Sequence, residues 1–402
     1  MPEPARRGGG SPYASLWPLS PDVAYLNHGS FGACPLQILE HQRWLRAELE
    51  AEPVDFLVRT LSGRFTEVRA ALGSFVGADP DDLAFVSNAT SGVNAILRSL
   101  PLVAGDEILT TDHTYGACRR TLDYVAARTG ARVVVASVPF PLTDPPEVVE
   151  PILAAVSART RLALIDHVAS PTGLVFPVAR IVAALRERGV ETMIDGAHAL
   201  GMVPLDLEAL GAAFYTANAH KWLCAPKGTA MLHVRRDRQE AVHPAVIGWG
   251  YDPASQAARF RAEFDWTGTV DPTGWLCIPA CIDYLGALFP GGWAELQRRN
   301  RTLALQARRL LGEAVGVAPA CPESMVGALA AVPLPRPAAG SPVERLDHEG
   351  MMSWFRERGI ETWLFPWECD GRMVIRASAQ VYNDADQYRR LAAALKAAVL
   401  GG

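Results

Sequence analysis

From about residue 80 onward, short apolar runs alternate with longer amphipathic ones. DLAFVS is followed by SGVNAILRSL, DEILTT by YGACRRTLDYVAARTG, ARVVVASV by PEVVEPILAAVSA and RLALIDHV by PVARIVAALRERG, and ETMIDGA closes the series. The short runs are almost continuously apolar, as strands buried on both faces must be, whereas the longer ones repeat apolar residues at helical spacing. This alternation predicts an α/β fold in which helices cover both faces of a large, mostly parallel sheet. AAFYTAN and TAMLHVR then arrive without a long helix between them, so an antiparallel strand is expected to finish a seven-stranded sheet.

After about residue 275 the texture changes. The helical stretch GWAELQRRNRTLALQARRLLGEAVG precedes proline-rich VPLPRPAAGSP, a helix at HEGMMSWFRERG, the strand-like ETWLFPWE and GRMVIRAS, and a last helix from about 384. That order predicts a smaller α+β domain, with 331–343 as an exposed loop. The expected division is an N-terminal extension at 1–25, a large domain at 26–275 and a small one at 276–402.

Two of the apolar runs end in residues with chemistry. ETMID releases Asp195, and GAAFYTANAH runs into Lys221, both at the strand edge where open α/β sheets bind ligands. A buried lysine loses its proton readily, because desolvation disfavours the ammonium, and a neutral amine attacks carbonyls to form imines. Pyridoxal phosphate supplies such a carbonyl, and its ring withdraws electrons only while a nearby carboxylate keeps the pyridine nitrogen protonated. A strand-end aspartate on its own is more often a helix cap or turn residue. Here His198, Asn218 and His220 lie close by in segments otherwise apolar, and the set together favours a cofactor site.

Composition narrows the class without choosing the chemistry. The 402 residues are 49% hydrophobic with a net charge of -5, enough for a large core and unlike a nucleic-acid binder. Seven cysteines, an odd number without CxxC spacing, point to reduced thiols; no run reaches the length of a membrane span, and the first residues lack a signal-peptide core. A cytoplasmic protein with a frayed N-terminus is expected. A phosphate site is read at SNATSGVNAILRSL, where a polar turn places Thr90 and Ser91 at a helix N-terminus, whose free amides and dipole favour an anion. Trp249, Tyr251 and Trp363 are read first as core residues, with a pocket for a bulky group as the other reading.

LNHGSFGACP, SNATSGVNA, TDHTYGA, DHVASPTG, IDGAHA, TANAHKW, TGT and VIRASAQVYN occur in that order over nearly the whole chain. The series resembles the class V aminotransferase family of fold-type I pyridoxal phosphate enzymes, and LNHGSFGACP with SAQVYN resembles its isopenicillin N epimerase branch. The resemblance implies that Lys221 forms the Schiff base, Asp195 pairs with the pyridine nitrogen and His198 bonds the phenolic oxygen. It implies His113 as the group stacked on the ring, with Tyr115 as rival, and Thr90, Ser91, Asn218 and His220 as phosphate ligands. Ser170 stands beside the cofactor, where desulfurases carry asparagine. Thr269 would reach the phosphate of a neighbouring subunit, which implies a homodimer with shared sites; Arg376 would clamp the substrate carboxylate, and Asn27 and His28 would line the entrance. No metal is implied.

The chain departs from the desulfurase branch, which uses a cysteine on a mobile loop. The nearest thiol before Arg376 is Cys369, in what reads as a tight turn. The expected activity is therefore α-carbon chemistry on an amino acid or aminoacyl conjugate in secondary metabolism: epimerisation first, β-elimination of a cysteine conjugate second, transamination third. Epimerisation needs a second acid, for which His113 and Tyr115 are the candidates.

Overall fold

The computed structural model describes residues 9–252, 259–367 and 371–401. Its strands in chain order are β1 (Ala24–Tyr25), β2 (Leu83–Val86), β3 (Glu107–Thr111), β4 (Arg132–Ala136), β5 (Thr160–Asp166), β6 (Glu191–Asp195), β7 (Phe214–Asn218), β8 (Ala230–Val234), β9 (Leu329–Pro333), β10 (Ile360–Glu361), β11 (Trp363–Pro366) and β12 (Met373–Ser378). Seven of them form one sheet in the order β2-β8-β7-β6-β5-β3-β4, the seven that the apolar runs predict. The contacts from β4 across to β7 are parallel, and β8 runs antiparallel to both β7 and β2.

Burial explains the continuous apolar runs. Leu164 and Ile165 of β5 and Met193 and Ile194 of β6 are fully enclosed, because adjacent side chains point to opposite faces and helices cover both. Parallel strands also release their ends at one edge. Asp166, Asp195 and Asn218 end β5, β6 and β7 there, with Asp166 and Asp195 opposite each other in register.

The small domain packs the antiparallel sheet β11-β12-β9 beneath the helices Gly292–Val315 and Ala385–Leu400. Leu311, Leu391, Leu395 and Ile375 form its fully buried centre, each such side chain contributing about 2 kcal/mol of apolar burial. The second helix opens on a capping box in which the Asp384 side chain and Gln387 satisfy each other's backbone amides.

Two expectations change here. Residues 331–333 are strand, not loop: β9 pairs with the central β12, and Pro333 is tolerated because it stands at the end of an edge strand. Ile278 and Cys281, just after 275, pack in one hydrophobic cluster with Phe65 and Leu72 and also with Ala331 and Val374. The described part of the N-terminal extension is not frayed. Trp17 is buried with its indole donating to the Ala33 carbonyl, and β1 pairs in parallel with β10 of the small domain. Among the described residues, no helix is long and apolar enough to cross a membrane.

Candidate active site

A cavity of about 500 Å3 opens at the carboxyl edge of β5, β6 and β7. Of the residues singled out in the sequence, Thr90, Ser91, Tyr115, Ser170, Asp195, His198, Asn218, His220 and Lys221 line it. Ser30, Phe31, Asn88 and Asp166 join them from outside that set.

Proton counting fixes the state of Lys221. The Trp222 indole can only donate, and its N–H lies 3.3 Å from His198 Nδ1, so that nitrogen offers a lone pair. Burial holds the imidazole neutral, and with Nδ1 accepting, its one hydrogen sits on Nε2. His198 Nε2 lies 3.1 Å from Lys221 Nζ, which can accept that hydrogen only as a neutral amine. In agreement, burial and then the Arg376 charge pull the Lys221 pKa down to about 7. Near neutral pH a large share of Lys221 is therefore the unprotonated amine that imine chemistry requires.

The backbone behind the lysine is fixed as well. His28 donates from Nε2 to the Lys221 carbonyl at 2.9 Å and accepts at Nδ1 from the Tyr382 hydroxyl at 2.8 Å. The segment 29–32 lies tight against this turn, and at Gly32 (φ 70°) an added Cβ would fall 2.0 Å from the His220 carbonyl. Only glycine fits there.

Below the lysine is an acidic floor. Asp195 accepts from the Ala197 amide at 3.0 Å and from the Cys118 thiol at 3.2 Å, and burial raises its carboxyl above the usual range. Gly196, next in sequence, leaves room for the Tyr215 ring, whose atoms lie 2.3 Å from where a Cβ would be. Asp166 is 2% exposed, and its Oδ2 has no hydrogen-bond partner. Burial and the neighbouring Asp195 push its carboxyl well up.

The phosphate end is the helix Ala89–Ser99. Asn88 caps it, accepting from the Ser91 amide at 2.8 Å, and Asn218 Oδ1 accepts from the Ala89 amide at 2.8 Å. Asn218 therefore shapes the cradle through its Oδ1 contact, while Thr90 and Ser91 bring hydroxyls to the wall beside the helix dipole. His220, held neutral by burial with a pKa lowered to about 4, lines the same end.

Arg376, on β12, lies behind the cavity wall, bonded to the lining residues Ser170 and Ser30. It is 2% exposed, donates to the Ser170 carbonyl and hydroxyl and to the Ser30 hydroxyl, and its Nε is unpartnered. Among the described residues no carboxylate pairs with it. A buried guanidinium answered only by neutral groups is suited to a carboxylate brought by a ligand.

Four expected residues are placed elsewhere. His113 is fully enclosed, bonded to the Thr172 hydroxyl at 2.8 Å and the Val138 carbonyl at 3.1 Å and edged against Trp367 at 4.7 Å. It does not reach the cavity wall; the turn after β3 carries Tyr115 there instead, 46% exposed. Asn27 and His28 do not line the entrance: Asn27 is buried and accepts from the Ser30 hydroxyl, and His28 works from behind Lys221. Ser30 and Phe31 take the lining role. Thr269 is exposed and outside this cavity. Trp249 is 92% exposed, so it is no core residue, and Cys369 lies outside the described residues.

The residues fit pyridoxal phosphate: an anion cradle, an acid floor for the ring nitrogen and a neutral lysine share one cavity. The "Aminotransferase class-V" family model matches residues 57–391. Isopenicillin N epimerase of Streptomyces clavuligerus is 36% identical over 94% of this chain and 96% of its own. A putative L-cysteine desulfhydrase of Oryza sativa subsp. japonica is 32% identical over 94% and 84%. The solved structure of a C-DES mutant with glycine covalently linked to its PLP cofactor superposes with a TM-score of 0.80 at 22% identity, covering 96% of this chain and 99% of that one. Fold, site and sequence agree that the chain belongs to the class V aminotransferase family and is a pyridoxal phosphate enzyme.

Proposed function

We propose that the protein epimerises the α-carbon of an amino acid or aminoacyl conjugate. The observation that carries this reading is the Lys221 amine in one cavity with the Tyr115 hydroxyl and with Ser170 and Ser30, which accept from the buried Arg376 guanidinium behind them. Bound in the cavity, pyridoxal phosphate supplies the electron sink that makes an α-proton removable. Arg376 holds the substrate carboxylate, Lys221 takes the α-proton, Asp195 maintains the charge on the ring nitrogen, and Tyr115 is the acid that returns a proton. The Asn88–Ser91 cradle and His220 hold the phosphate, and Tyr115 also covers the ring. Thr269, exposed on the surface, is assigned to the phosphate of a second copy in a homodimer. The epimerase relative at 36% identity supports this reading.

The desulfhydrase relative favours a second one, expulsion of a thiol from the β-carbon of a cysteine conjugate. No cysteine lines the cavity among the described residues, so a desulfurase reading, which needs a sulfur acceptor, has no support there. Incubation with amino acids and cysteine conjugates in deuterated water, followed by mass spectrometry and chiral chromatography, separates the outcomes. Epimerisation gives α-deuterated product of both configurations. Pyruvate with free thiol would replace it by the lyase reading, and a keto acid would replace it by transamination. Tyr115→Phe should retain deuterium exchange in the starting enantiomer and lose the opposite one; loss of both together would remove Tyr115 from the role.

A further inference from the structure

Trp222 follows Lys221 directly and so far has no part in the chemistry. It is 1% exposed, and its indole N–H lies 3.3 Å from His198 Nδ1. What this contact denies the imidazole matters more than its packing. A neutral histidine carries its hydrogen on either ring nitrogen, and the two forms present opposite groups to a neighbour at the other nitrogen. At Nε2 that neighbour is Lys221 Nζ, 3.1 Å away. A hydrogen on Nε2 is donated to the neutral amine, whereas a lone pair there accepts from the ammonium. Taken alone, this pair fits either way round.

The indole removes the choice. It can only donate, so Nδ1 must accept. A serine, asparagine or histidine at 222 could take either part and would leave both forms of His198 open. Among the described residues no other group bonds to Nδ1, and His198 is itself 1% exposed, so bulk water does not compete for it. The indole is also braced. His28 packs against it with ring centroids 4.9 Å apart while donating from Nε2 to the Lys221 carbonyl. Gly201 (φ 87°) lies so close to the Trp222 backbone that an added Cβ would fall 2.6 Å from its carbonyl carbon.

We propose that Trp222 is a positioning residue: by occupying His198 Nδ1 it makes His198 a donor at Nε2, toward Lys221 in the free protein and toward the cofactor's phenolic oxygen in the loaded one. In the free protein that donor favours the neutral amine over the ammonium; in the loaded one it favours an anionic oxygen over a hydroxyl. The proposal rests on the reading of Lys221 as the reacting amine.

Nitrogen NMR of the parent protein labelled with 15N-histidine reads the hydrogen directly. The signals lost in His198→Met should place it on Nε2 and leave Nδ1 bare, with and without pyridoxal phosphate. A hydrogen on Nδ1 overturns the proposal. Trp222→Phe keeps an aromatic ring beside His28 and removes the donor. Cofactor uptake by the apoprotein, followed by visible absorbance, should have its pH midpoint at about 7 in the parent. In the variant the midpoint should lie about one pH unit higher, the effect of moving one hydrogen bond from the neutral amine to the ammonium. His198, Arg376, Asp195 and Cys118, the groups that act on Lys221, all stay in place. A merely structural role would slow uptake equally at every pH and leave the midpoint unmoved, which also overturns the proposal. If Trp222→Phe does not fold, the parent spectrum decides alone. Deuterium exchange at the α-carbon by the parent holoenzyme separates the two levels. Exchange with a hydrogen on Nδ1 removes Trp222 from this role and leaves the proposed function standing; a hydrogen on Nε2 with no exchange of any amino acid or conjugate removes the proposed function and leaves the role of Trp222 in the free protein.

Discussion

The floor and the mouth of the cavity are equally cut off from water, yet each manages its charge differently. On the floor, Asp166 and Asp195 face each other in register with no cationic side chain bonded to either among the described residues, and burial raises both carboxyls. At the mouth, burial lowers Lys221 to about 7 and Arg376 to about 10, and their hydrogen-bond partners are an imidazole, hydroxyls and a carbonyl. The floor holds its carboxyls more readily protonated than free ones. The mouth gives a proton up and retains a single fixed cation for an incoming carboxylate. Low dielectric alone would neutralise both ends; which groups are placed beside them decides what each can do.

The comparison breaks most visibly at Lys221. Lys221→Ala should lower turnover by about 10³-fold or more and abolish the borohydride-reducible adduct; an adduct persisting at another lysine would move the chemistry away from this residue. Asp195→Ala comes next. It should still bind cofactor but lose roughly 10²-fold in α-proton exchange, and full turnover would remove the floor's role. Arg376→Lys keeps the charge but not the fork, and should weaken binding of the substrate carboxylate by about tenfold, read as KM with a smaller change in kcat.

Asp166→Asn sharpens the comparison with the smallest effect, and its sign is definite. A carboxyl raised in the native state binds a proton there that the unfolded chain releases, so its contribution is present below about pH 4 and is lost as pH rises towards the folded value. Removing that group should flatten the fall. The apoprotein melting temperature should exceed the parent's by roughly 2 °C at pH 8, with the advantage shrinking towards pH 4; a difference that does not change with pH would show Asp166 charged in both states. The mouth predicts the opposite slope. Reconstitution of apoprotein with pyridoxal phosphate should speed up as pH rises through about 7, because the neutral fraction of Lys221 grows there.

The large sheet was legible because burial on both faces leaves a continuous apolar signature, and the polar residue that ends such a run marks the ligand edge. Asp166 carries the same mark after RLALI and went unassigned because Ser170, four residues on, drew the assignment for that motif. Whether His113 or Tyr115 faces the cavity depends on how a tight turn aims its side chains, and composition does not encode that. Pairing of β1 with β10 had no local signal: each strand is two residues long and the partners are separated by most of the chain. Pro333 misled because a proline forbids a central strand but not the end of an edge one.

That same β1–β10 pairing makes the large domain an insertion within the small one. Ala24 and Tyr25 leave the ribosome early, and Ile360 and Glu361 follow only after the whole seven-stranded sheet has been made. Since domains fold as units in order of synthesis, the catalytic sheet can close while the amino-terminal strand still waits for its partner. Ser30, a few residues beyond β1, and Arg376 on β12 are likewise far apart in the chain, so their contact forms only after the sheet between them has been made.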